Sequence, residues 1–105
     1  MAKKGEREYF KRIDEANMQY SLHKPFSDGI NIGSLLHDIA AVFSLLPAPG
    51  HSQKILDLGC GTGWTSSFYA RAGHQVTGVD IAPEAIQQAK KHFSDLPTLQ
   101  FACHD

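Results

Sequence analysis

Three glycines at alternate positions, Gly59, Gly61 and Gly63, follow a short apolar run of Ile55, Leu56 and Leu58. An acid stands on either side of them, Asp57 before the turn and Asp80 seventeen residues after Gly63. Glycine tolerates positive φ and lets a ligand approach the main chain without meeting a Cβ. Three in alternation therefore suggest a turn built to touch something, and nucleotide-type cofactors are the first candidates. A dinucleotide fingerprint, GxGxxG, needs its third glycine where this chain has Trp64, and the Asp57 carboxylate would repel a pyrophosphate. A phosphate-binding GxxxxGK[ST] loop is excluded because no lysine follows the glycines. A ligand that carries a cation reverses the sign: Asp57 would attract an ammonium, while the helix N-terminus near Trp64 would receive a carboxylate. An acid roughly 20 residues beyond a glycine turn is placed to accept hydrogen bonds from ribose hydroxyls, and Asp80 in "GVDIAP" stands there.

These residues need strands and helices to hold them. From Gln53 onward, short apolar runs alternate with helical patterns: strand 54–58, helix 63–72, strand 75–80, helix 83–93 and strand 99–103. This βαβαβ order predicts an α/β fold, a Rossmann-like parallel sheet with right-handed crossovers. Pro83 suits the first position of the second of those helices, and Lys90 and Lys91 suit its C-terminal dipole. Ahead of this unit, Tyr9, Phe10, Ile13, Ala16 and Tyr20 recur at helical spacing over Glu6 to Tyr20, and Leu35, Leu36, Ile39, Phe43 and Leu46 mark another helix from near Ser34. "LPAPGHSQ" breaks the pattern, which divides the chain into an N-terminal helical segment, 1–51, and a βαβαβ half-domain, 52–105. The aromatic stripe of Tyr9, Phe10 and Tyr20 reads as packing against the second helix or the sheet, or as a lid.

An amino-acid zwitterion joined to a ribose describes S-adenosylmethionine. The stretch "ILDLGCGTGWTSSFYARAGHQVTGVDIAPEAIQQAKKHF" resembles the cofactor half of a class I S-adenosylmethionine-dependent methyltransferase. The resemblance covers roughly residues 53–105 and implies that Asp57, Gly59, Gly61 and Gly63 surround the methionine end, that Asp80 holds the ribose and that Ile81 packs on the adenine. Cys60 counts with the turn as a small filler, not a nucleophile, because nothing basic adjoins it. "FACHD" resembles the family's third strand end, where Asp105 would accept a hydrogen bond from the adenine amino group; His104 would line the ring or is a plain surface residue. Ala82 stands where a capping Ser or Thr is common in such sequences, at a cost of ~1 kcal/mol. The family's sheet continues with further strands on the substrate side, so the sequence reads as truncated, and no catalytic residue is named. By the family's strand order, 3-2-1-4-5, the strand Lys54 to Leu58 would be left with an open edge offering Ile55, Leu56 and Leu58 for self-association.

The remaining features narrow the partners. A net charge of -1 in 105 residues offers no field for nucleic acid or an anionic membrane, and no stretch nears the ~20 apolar residues of a membrane span. Cys60 and Cys103 fit neither a disulfide framework nor a zinc site, which suggests a reducing cytoplasm and no metal. The methyl acceptor is not legible. An NAD-binding oxidoreductase fragment and a non-catalytic cofactor-binding or interaction module stand as the alternatives.

Overall fold

The computed structural model describes residues 15–47 and 50–104. Three parallel strands, β1 (Lys54–Leu58), β2 (Gln75–Asp80) and β3 (Leu99–Cys103), form an open sheet in the order β1-β2-β3, so β2 lies in the middle. Helices Trp64–Arg71 and Pro83–His92 make the two crossovers; counted among the described residues after the N-terminal helices α1 (Glu15–Leu22) and α2 (Ile32–Phe43), they are α3 and α4. The expected strands are all present, and each crossover helix ends within one residue of its expected bounds. The expected α/β class is therefore the observed one.

The pleat decides what each strand buries, because successive side chains point to opposite faces. In register, Ile55 pairs with Val76, which pairs with Leu99, while Asp57 pairs with Gly78, which pairs with Phe101. Val76, Leu99 and Phe101 from this face are buried against Ile86, Ala89 and Phe93 of α4 and Tyr69 and Ala70 of α3. Leu56 and Leu58 point the other way and are 61% and 72% exposed. Among the described residues the unpaired edge of β1 thus presents Leu56 and Leu58 but not the third expected apolar residue, Ile55, which is packed against the core.

The N-terminal helices share this core. Ile39 of α2 is buried in it, with Phe43 and Leu46 packed against it, and the Phe43 ring meets Tyr69 at 5.3 Å between centroids. The helix begins at Ile32, earlier than the apolar stripe indicates. Its entry is set by Asp28, which accepts hydrogen bonds from the Asn31 backbone and side chain at 3.2 and 3.1 Å. In α1 the buried positions are Met18 and Leu22, while Tyr20 is 43% exposed and lies under the Lys24 ammonium. Of the expected stripe only the Tyr20 side chain is described, and it lies off the face that Met18 and Leu22 bury. Tyr9, Phe10 and Ile13 lie outside the described residues. Among the described residues no helix is long and apolar enough to cross a membrane.

An open strand edge beside two exposed leucines predicts association. Light scattering at micromolar concentration should show the chain larger than a monomer, and Leu56→Lys with Leu58→Lys should shift it toward monomer without changing the far-UV circular dichroism. A wild-type chain that runs as a monomer contradicts this expectation.

Candidate cofactor site

The glycine turn folds back over the end of β2. The amides of Gly59 and Cys60 both donate to the Val79 carbonyl, at 2.8 and 3.0 Å, and the Gly63 amide donates to the Cys60 carbonyl at 2.9 Å. All three glycines have positive φ, 71° at Gly59, 58° at Gly61 and 89° at Gly63, a region in which a side chain is strained. Asp80 completes the turn. Its Oδ2 accepts from the Gly61 amide at 2.8 Å and its Oδ1 from the Ala82 amide at 3.0 Å, and the residue is 4% exposed. Hydrogen bonds from backbone amides to an ionised carboxylate are charge-assisted and short. Ala82 itself supplies no side-chain cap to α4, as its chemistry requires.

The glycines fall into two kinds. A Cβ on Gly59 or Gly61 would meet nothing within 4 Å, so the backbone there is bare toward open space. A Cβ on Gly63 would lie 2.5 Å from the Phe101 ring, and one on Gly78 would lie 2.8 Å from it. The third glycine of the motif is thus required by close packing of α3 on the sheet. Only the first two leave room for a ligand.

Asp57 departs from the expectation of a carboxylate free to draw an ammonium. Its Oδ2 accepts from Thr65 Oγ1 at 2.7 Å and Ser66 Oγ at 2.6 Å, which fastens the first turn of α3 to the end of β1. An acid beside a helix N-terminus is also favoured by the helix dipole. That arrangement offsets part of the positive end on which a guest carboxylate was expected to rest. Thr65 and Ser66 were not among the sequence-derived site residues, although hydroxyls in the first turn after a strand-end acid are the signal that marks them.

Cys60 points inward. Its thiol is buried beside Gly78, and burial, with the charges of Asp57 and Asp80 nearby, pushes its pKa up to about 12. Its side chain fills space beneath the turn, as expected, so a contact of Cys60 with a ligand would be made by its backbone. Ile81 is half-buried directly after Asp80, and the amide of exposed His104 donates to the Asp80 carbonyl at 2.9 Å. Gly61, Asp80, Ile81 and His104 therefore come together at the carboxyl ends of the strands, where open parallel sheets bind ligands. Asp105 lies outside the described residues. A concavity of about 380 Å³ at the opposite strand ends, between Lys54, Gln75, Thr98 and Gln100, is lined by no carboxylate, cysteine or histidine.

Residues 55–105 match the family model described as "Methyltransferase domain". The mitochondrial ubiquinone biosynthesis O-methyltransferase of Schizosaccharomyces pombe is 55% identical over 47 residues, 45% of this chain and 17% of that protein. The malonyl-(acyl-carrier protein) O-methyltransferase of Erwinia pyrifoliae is 41% identical over 44 residues, 42% of this chain and 17% of that protein. Among solved structures, a SAM-dependent methyltransferase from Agrobacterium tumefaciens superposes with a TM-score of 0.58 at 26% identity, covering 73% of this chain and 26% of that one. The chain thus matches 17% of the length of each of these two curated relatives.

Two outcomes follow from the geometry. Gly63→Ala should lower the urea unfolding free energy by ~2–4 kcal/mol, from the positive φ and the Phe101 overlap, whereas Gly61→Ala should cost only ~1–2 kcal/mol; equal costs contradict the division into two kinds. At pH 8, iodoacetamide should alkylate exposed Cys103 and leave Cys60 unmodified until the chain unfolds. Cys60 should gain reactivity only as pH rises toward about 12, and mass spectrometry showing equal labelling in the folded chain contradicts its burial.

Proposed function

We propose, from the match of residues 55–105 to the methyltransferase-domain model and the likeness to SAM-dependent methyltransferase structures, that the chain is the cofactor-binding part of a class I S-adenosylmethionine-dependent methyltransferase, and that its glycine turn binds S-adenosylmethionine in a protein that transfers the methyl group to an acceptor. The observation that carries the reading is a buried Asp80 carboxylate beside two glycines whose backbone is open to a ligand. The bound cofactor supplies the chemistry, an electrophilic methyl on a sulfonium whose charge is lost as the methyl moves to a nucleophile.

The chain's own residues bind and orient. Gly59 and Gly61 leave the main chain accessible to the methionine end. Each Asp80 oxygen accepts one amide, and a carboxylate has about four acceptor sites, so capacity remains for ribose hydroxyls. Ile81 offers an apolar surface to the adenine, with His104 at its rim. Asp57 acts mainly through Thr65 and Ser66, and its charge favours the ammonium over the carboxylate of the amino-acid end. Methyl transfer requires donor and acceptor at near-attack distance with water excluded, a positioning effect that works without a universal catalytic residue. The acceptor stays open, because the two curated relatives named above are named for different substrates. The free thiols of Cys60 and Cys103 support a reducing, cytoplasmic location.

Calorimetry with S-adenosylhomocysteine and with NAD tests the reading: the former should bind and the latter should not compete. Asp80→Asn should weaken the binding by ~1.5–3 kcal/mol, the worth of hydrogen bonds to a charged acceptor. Equal or tighter NAD binding overturns the proposal, and an unchanged affinity in a folded Asp80→Asn variant removes Asp80 from the site.

A further inference from the structure

Thr62 lies inside the glycine turn, between Gly61 and Gly63, and is 3% exposed. Its hydroxyl donates to the Ser21 carbonyl at 3.1 Å and lies 3.0 Å from Ser21 Oγ. A hydroxyl has one proton, so with that of Thr62 on the carbonyl, Ser21 is the donor in the second contact. The residues around Ser21 are anchored as well. Met18, Leu22 and Pro25 are buried, and the His23 ring stands edge-on to His92 of α4 at 5.3 Å between centroids. A turn with three positive-φ glycines has a permissive backbone, and a ligand that must order it loses affinity by that amount. On one side the turn is tied to β2 by Val79 and Asp80. On the other its tie is Ser21.

We propose that Thr62 is a positioning residue: through its two hydrogen bonds to Ser21, residues 15–25 hold the glycine turn in its ligand-receiving form. The N-terminal segment thereby contributes to cofactor affinity through the turn's conformation. The proposal rests on the cofactor reading above. It also predicts a behaviour of the ligand-free chain, and this keeps the two separable.

The test compares wild type, Ser21→Ala, Thr62→Val, Thr62→Ser and the double variant Ser21→Ala/Thr62→Val, by calorimetry with S-adenosylhomocysteine and by hydrogen exchange of amides 59–63 without ligand. Thr62→Val should weaken binding about tenfold and Ser21→Ala about fivefold, the effect of one to two buried hydrogen bonds. The double variant should bind no more weakly than Thr62→Val, because the hydrogen bond that Ser21→Ala removes is already lost in Thr62→Val. Thr62→Ser, which keeps the hydroxyl, should recover most of the affinity, and exchange at 61–63 without ligand should quicken in Thr62→Val and, to a smaller extent, in Ser21→Ala. Should Thr62→Val fail to fold, Ser21→Ala carries the same comparison. Unchanged affinity in the folded variants, or additive losses in the double variant, overturns the proposal. If wild type binds no S-adenosylhomocysteine, the cofactor reading fails and the ligand-free exchange decides alone: faster exchange upholds the coupling and unchanged exchange overturns it.

Discussion

A carboxylate placed at the end of a central strand can satisfy two neighbouring backbone segments at once, and Asp80 does so. With one oxygen it takes the amide of Gly61 in the turn after β1, and with the other the amide of Ala82 at the start of α4. Both amides would otherwise sit near the carboxyl ends of buried strands without a helix or sheet partner, where a missing hydrogen bond costs ~1–3 kcal/mol. The peptide around Asp80 is further engaged: Val79 O takes the amides of Gly59 and Cys60, and Asp80 O takes that of His104. One short stretch of β2 therefore sets the position of both turns and of the end of β3. The ligand-facing surface follows from that stretch.

A second constraint comes from the Phe101 ring. It lies where Gly63 and Gly78 have no side chain, so the sheet and α3 approach more closely than any Cβ would permit. Packing accounts for Gly63, and the open space beside Gly59 and Gly61 distinguishes them as the positions a ligand can use. Asp57 belongs with the packing constraints too, since Thr65 and Ser66 consume one of its oxygens and lock the helix to the strand. Its charge is nonetheless retained at the same end of the sheet as Asp80. The site is a turn held rigid from several directions, as positioning a reactive cofactor demands.

The strands were legible because parallel strands buried by helices on one face leave compact apolar runs, and Pro83 and the glycines mark the helix starts without reference to tertiary contacts. The resemblance to the methyltransferase family rests on an acid, a glycine turn and a second acid at set spacing, all local features. What the sequence could not carry depended on partners distant in the chain. The face of α1 that docks is chosen by Met18 and Leu22, and the more conspicuous aromatic Tyr20 remains half exposed, because the contact is with α4 and the turn. The Asp57 contacts were missed for a different reason: in isolation a strand-end acid reads as a ligand group, and only the helix geometry shows two hydroxyls aimed at it. Likewise Cys60 shares its turn with ligand-facing glycines, yet its side chain takes the opposite direction, into the core.

The central claim is that Asp80 and the bare backbone at Gly59 and Gly61 form one ligand-receiving surface. It is tested most directly by a nuclear magnetic resonance titration of the isotope-labelled chain with S-adenosylhomocysteine. The largest amide shifts should fall together on Gly59, Gly61, Asp80, Ile81 and Ala82, with little change at the opposite strand ends around Lys54 and Gln75. Shifts centred on those opposite ends, or saturable binding that leaves Gly61 and Ala82 unmoved, would contradict the account.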